Sequence, residues 1–131
     1  MLETIHCSTI LPTSPEQIYR AWLSSSGHSA FTNSPAEVDP AIGGRFTAWD
    51  GYIQGSNIEL EPYRRILQAW RTSEFPTESP DSRLEVLLEV VEGGTLITIN
   101  HSEIPSGQGS SYAQGWQEFY FTPMQAYFSG L

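Results

Sequence analysis

His101 and Glu103 stand two apart in the stretch TLITINHSEIP, residues 95–105. On an extended strand, residues two apart share a face. The spacing therefore predicts an imidazole and a carboxylate side by side. A carboxylate raises the pKa of a neighbouring histidine and orients it. Near Trp116, such a pair would line a cavity as an acid and a base. The plainer reading is a histidine bonded to a neighbouring loop at the sheet rim. His28, with Thr32 and Asn33 close by, would donate a hydrogen bond to a ligand at a cavity mouth, or equally cap a short helix. His6 and Cys7 are adjacent, so a strand points them to opposite faces and they cannot chelate one metal together. Nitrogen and sulfur ligands scattered without close spacing argue against zinc. Cys7 reads as a small buried hydrophobe, because a nucleophilic thiol would need a nearby cation. Neither a metal nor a cofactor is expected.

The more informative set is aromatic. Trp49, Trp70, Tyr112, Trp116 and Tyr120 would suit a planar or lipid-like ligand, with the Tyr and Trp polar atoms fixing its orientation. The alternative is a filled core with no usable cavity. The width of the aromatic arc predicts a pocket on the order of 300–1,000 Å³ touching Trp49, Trp70 or Trp116. Arg45, Arg65 and Arg71 would either pair a ligand carboxylate or, more simply, pair with glutamates on neighbouring strands.

Composition removes several classes. The chain has 131 residues, 39% of them apolar, and a formal charge of −9. That length suits one domain, residues 1–131, with a real core. Fifteen acids face six bases, and all six are arginine. Such a surface repels nucleic acid and anionic lipid heads. Without lysine there is no Schiff-base chemistry and no Walker-type phosphate loop. A single cysteine forms no internal disulfide. There is no run of about twenty apolar residues for a membrane span. The start, MLETIHCSTILP, lacks the basic end and apolar stretch of a secretory signal. A cytoplasmic protein is the simplest expectation.

The elements that must position these residues follow from periodicity. Glu3–Leu11 alternates as a strand with one buried face, ended by Pro12. Ser14, Pro15 and Gln17 open a helix that carries Ile18, Ala21 and Trp22 and stops in SSSGHS, with a short turn over 28–31. Residues 35–40 read as loop or short strand and Gly43-Gly44 as a turn. Residues 45–50 and 52–61 read as strands around a turn at Asp50-Gly51, with Ile58 and Leu60 alternating against Asn57, Glu59 and Glu61. Further strands fall at 65–72, 83–91 and 96–103. The glycines of GGRFTAWDGYIQG (43–55) lie among hairpin strands, so they bend a sheet rather than cradle an anion, which would need a following helix. Residues 111–129 form one long helix. Its apolar arc holds Tyr112, Trp116, Phe119, Tyr120, Pro123, Met124, Tyr127 and Phe128. Pro123 should break the bond to the Phe119 carbonyl and kink the helix there, swinging Tyr127 and Phe128 into the cavity end. The order is α+β: an antiparallel sheet with helices on one side. Leu67 and Leu87, on the more polar strand face, would mark a self-association surface, so a homodimer is an expectation.

SPEQIYRAW, GGRFTAWDGYIQGSNIELEPYRRILQAWR, TLITINHSEIP and GWQEFYFTPMQAYF, in this order, make the chain resemble the activator-of-Hsp90-ATPase C-terminal-like (AHSA1-type) family. That family lies within the START-like, Bet v 1-like SRPBCC superfamily. The resemblance covers nearly the whole chain. It implies a helix-grip fold: a curved antiparallel sheet around a long C-terminal helix, with a cavity between them. The superfamily includes lipid carriers, hormone receptors, polyketide cyclases and aromatases. The Hsp90 activators also carry a separate N-terminal domain, for which 131 residues leave no room. Three functions stay open. The first is non-catalytic binding of a small apolar or amphipathic ligand. The second is a cyclase- or hydrolase-like enzyme using His101 and Glu103. The third is an interaction module for a partner such as a chaperone.

Overall fold

A computed structural model describes residues 1–130. The strands are β1 (Glu3–Leu11), β2 (Glu37–Val38), β3 (Arg45–Ala48), β4 (Ile53–Glu61), β5 (Arg65–Thr72), β6 (Ser82–Val91) and β7 (Gly94–Ile104). They form one antiparallel sheet in the order β1-β7-β6-β5-β4-β3-β2. The first strand thus pairs with the last, and a meander fills the space between. Two short helices, α1 (Pro15–Trp22) and α2 (Ser25–Thr32), follow β1. Ser14 Oγ accepts the Gln17 N–H and caps α1, with Pro15 in its first turn. Ser24 does the same for α2 through Gly27 N–H. The second element is therefore a two-turn helix, longer than the short turn expected over 28–31.

The C-terminal helix is continuous but not uniform. It runs as α3 (Gly109–Gly115), a π-helical segment (Trp116–Phe121) and α4 (Thr122–Ser129). Trp116 N–H bonds Tyr112 O, the ordinary α pattern, whereas Thr122 N–H reaches Gln117 O, one residue further. The wider turn changes which side chains face the sheet. Phe121, outside the regular apolar arc, is buried, and Phe119, inside that arc, is 52% exposed. Pro123 sits in the first turn of α4, where a missing N–H is least costly. The wide turn just ahead of it takes up the disturbance expected as a kink. Phe128 packs in the core against Phe31, with ring centroids 6.2 Å apart. Neither it nor Tyr127 lines the cavity that holds Trp49, Trp70 and Trp116; both border a second hollow beside α1. Restoring the donor with Pro123→Ala should raise hydrogen-exchange protection of amides 119–128. Unchanged protection would mean that the π turn already absorbs the proline at no cost.

Gly55 stands where the sheet leaves no room for a side chain. Gly55 on β4 lies opposite Trp70 of β5 and beside Phe46 of β3. The glycines belong to strands and turns, as expected. The strand expected over 45–50 ends at Ala48, because Trp49 and Asp50 both take left-handed conformations (φ 52 and 57) before Gly51. Asp50 N–H to Pro35 O holds this turn.

With a bulge between Asn57 and Glu59, β4 departs from the expected alternation at Asn57, while Ile58 and Leu60 stay more covered than the exposed Glu59 and Glu61. Asn57 is buried with Gln68, whose amide donates to Asn57 Oδ1 at 2.9 Å. Asn57 in turn donates to the Asp39 and Ala41 carbonyls. On the outer face Leu67 is itself covered, beside Arg65, which bonds Glu85 at 2.7 Å and Glu59 at 3.0 Å. Arg71 bonds Asp81 at 3.0 Å. Arg65 follows the simpler expectation of pairing with glutamates on neighbouring strands, whereas Arg71 pairs with an aspartate in the loop before β6.

Candidate functional site

Between the curved sheet and the C-terminal helix lies a cleft of about 470 Å³. Trp49 and Tyr52 enter from the β3–β4 turn, Ile53 from β4 and Trp70 from β5. The helix contributes Tyr112, Trp116, Phe119 and Tyr120, with Gly115 and Ser111 between them. The rings meet at steep angles. Trp70 and Tyr112 stand at 82° with centroids 5.1 Å apart, and Trp49 and Phe119 at 69° and 5.5 Å. The wall carries no acid and no arginine. All five aromatic residues singled out in the sequence, Trp49, Trp70, Tyr112, Trp116 and Tyr120, line this one cleft.

One end of the cleft is polar. Tyr112 Oη donates to Gln108 Oε1 at 2.6 Å and accepts from Thr72 Oγ1 at 2.6 Å. Tyr52 Oη donates to a Glu74 carboxylate oxygen. Burial, then this bond, holds the Tyr52 phenol well above its ordinary range. Gln108 Nε2 fixes the Glu74 backbone at 3.0 Å. At the mouth, Trp49 combines a left-handed backbone with a buried Nε1 that has no hydrogen-bond partner. Both features are costly for a bulky residue.

His101 is fully buried and not part of the wall. Its Nδ1 accepts from Trp116 Nε1 at 3.2 Å. That requires the proton on Nε2, which donates to Ser82 Oγ at 2.8 Å, and Ser82 donates on to the Trp70 carbonyl at 2.7 Å. The only lone pair of the ring is thus occupied. Burial lowers its pKa to about 3. The expected His101–Glu103 pair does not form. Between Glu3 and Ile5, β1 advances two residues while β7 advances three, from Ile104 to His101. This bulge puts Glu103 at φ 59 and turns it outward, 3.9 Å from Arg83 Nε. Strand alternation fails where a strand gains a residue.

His28 is corrected likewise. It is buried, not at a cavity mouth. Its Nδ1 donates to Trp22 O at 2.9 Å and its Nε2 accepts from Tyr120 Oη at 2.8 Å. Burial lowers its pKa to about 4. It braces the back of the helix that forms the cleft wall. His6 is exposed on β1 and bonds Asn100, whereas Cys7 packs against the core. Burial pushes the Cys7 thiol up to about 11, unsuited to nucleophilic attack.

Tyr52, Phe119 and Gly115 are wall residues that the sequence reading missed. The signal for Gly115 was a lone glycine within the aromatic arc of a helix. A Cβ there would meet only Phe119, at 3.8 Å.

The family model for "Activator of Hsp90 ATPase homolog 1-like protein" matches residues 12–129. The chain belongs to this AHSA1 family. Among the family's curated members, the human activator of 90 kDa heat shock protein ATPase homolog 1 is 31% identical over 109 residues, 83% of this chain and 32% of that protein. The Dictyostelium discoideum homologue is 28% identical over 106 residues, 79% and 27%. The chain thus spans between a quarter and a third of the length of these AHSA1 relatives. In structure it is similar to an HSP90 activator from Plasmodium falciparum (TM-score 0.85, 22% identity, 94% of each chain). It is also similar to the Aha1 dimer from Colwellia psychrerythraea (TM-score 0.79, 18% identity, 96% of each chain). These structures establish the α+β helix-grip fold. No helix among the described residues is long and apolar enough to cross a membrane.

Proposed function

We infer that this chain binds a small apolar or amphipathic molecule in the cleft between sheet and C-terminal helix, without catalysis. The observation that carries this reading is the cleft itself, about 470 Å³ walled by seven aromatic rings. That volume lies within the range of small-molecule sites. Trp49 adds support, since strain and an unpartnered donor concentrate at functional positions. The absence of catalysis rests on the two buried histidines, whose ring nitrogens are all committed to protein partners.

Gly115→Leu tests the reading. It fills the cleft from the helix side, where nothing but Phe119 stands within 4 Å. Leucine also has a helix propensity better than glycine's by up to about 1 kcal/mol. The variant should therefore fold with equal or higher Tm, yet lose any molecule that native mass spectrometry finds on the freshly purified parent. It should also lose tryptophan quenching by added apolar probes. A parent that carries no molecule and answers no probe would sink the reading.

A second reading, docking to an Hsp90-type chaperone, is supported by the family and by the names of its curated members. Under it, Gly115→Leu would stimulate the chaperone's ATPase as the parent does. A parent without stimulation would remove it.

A further inference from the structure

The geometry points to a specific ligand class for this cleft: a compact organic cation with an apolar body, such as a quaternary ammonium, its charge held by the aromatic wall. The inference rests on the ligand-binding reading above. Three observations carry it. First, Trp49, Trp70 and Trp116 share one small cavity with four further aromatic rings. Ring faces attract cations, tryptophan most strongly, and the attraction grows when water is excluded. Second, carboxylates outnumber bases around the wall. Glu74 is bonded to Tyr52, Asp50 follows Trp49, and Glu118 precedes Phe119. Third, no base can neutralise an anion there. Of the arginines, Arg71 reaches this end of the molecule over Phe75, but it is tied to Asp81 and to the carbonyls of Pro76 and Ser79. A carboxylate ligand would enter beside glutamate with no cation to pair it, inside a chain of formal charge −9. A neutral ligand would gain the apolar contacts alone. A cation gains these, the ring faces and the field of Glu74 together.

Three probes of similar size separate the alternatives: phenyltrimethylammonium, its neutral isostere tert-butylbenzene, and benzoate. Binding is read by tryptophan fluorescence and calorimetry at low salt. Phenyltrimethylammonium should bind about three- to thirtyfold more tightly than tert-butylbenzene, and benzoate least. Glu74→Gln, at an exposed position, should keep the Tm and shrink the cation's advantage while leaving tert-butylbenzene unchanged. Equal binding of the cation and its isostere, or preference for benzoate, overturns the cation class and leaves the cleft a ligand site. Silence of all three probes on the parent, together with no co-purifying molecule, overturns the ligand-binding reading and this inference with it.

Discussion

Lowering the pH from 7 towards 4 is expected to unfold this protein before most of its carboxylates protonate. His28 and His101 are buried neutral, and burial lowers their pKa values from 6.5 to about 4 and about 3. In the unfolded chain both would titrate at the ordinary value. Between that value and the folded one, the unfolded state holds the extra protons. Stability is therefore complete above about pH 6.5 and falls as pH drops through the window below it. Each histidine can remove up to about 1.4 kcal/mol per pH unit. Two together approach the whole stability of a typical domain, about 5–15 kcal/mol, within two or three units. Glu85, held low by Asn100 and Arg65, loses its contribution only as pH falls further, below the ordinary carboxylate value. Urea midpoints taken from pH 7.5 to 4.5 check this. The expected slope approaches two protons taken up on unfolding, and a flat profile from pH 7 to 5 would show that neither histidine is buried neutral. On protonation His101 Nδ1 becomes a donor and can no longer accept from Trp116 Nε1. Because Trp116 is a cleft wall, probe binding should weaken in the same pH window.

Gly55→Ala should cost roughly 3 kcal/mol or more, at the upper end of single-methyl insertions. The added Cβ would lie 1.9 Å from the Ala69 carbonyl oxygen and 2.6 Å from the Phe46 ring. Phe46 is buried, and the Ala69 carbonyl belongs to the backbone of β5 paired with β4. Neither can retreat without opening the sheet behind Trp70. Gly115→Ala is the contrast, with a single ordinary contact at 3.8 Å and a helix gain of up to about 1 kcal/mol. Denaturant midpoints should thus move in opposite directions for the same chemical change. A Gly55→Ala midpoint equal to the parent's would mean that the sheet is not closed over this residue.

The layout was legible because most of its signals are local. Alternation in β1 and β6, the Ser14-Pro15 start of α1, and aromatic residues at helical spacing all act over a few residues. The cleft wall could be read for the same reason: Trp70 falls on the inner face of a strand, and Tyr112, Trp116 and Tyr120 recur every four residues on the helix. The failures came where one residue is added. A bulge turned Glu103 out, a second reversed Asn57, and the π turn exchanged Phe119 for Phe121. A bulge breaks the alternation locally, yet no residue type announces it. The histidines failed for a different reason. The partners that close their hydrogen bonds lie 19 and 92 residues away in the chain, beyond the reach of spacing rules.

The pairing of β1 with β7 also sets a timetable for synthesis. His6 and Asn100, bonded across these strands, are separated by 94 residues. At roughly 5–20 residues per second, the first strand waits about 5–20 s on the ribosome for its only neighbour in the sheet. Glu3 waits longer still. Its carboxylate accepts the Gly107 and Gly109 N–H groups at the start of the C-terminal helix. Until then β1 is an unpaired edge with Ile5, Cys7 and Leu11 on one face, the kind of segment that chaperones hold and aggregates recruit. The helix that walls the cleft is made after the sheet, so the cavity closes last. A ligand already present could be enclosed at that step, and slowing translation after residue 104 would lengthen the time the open sheet has to meet it.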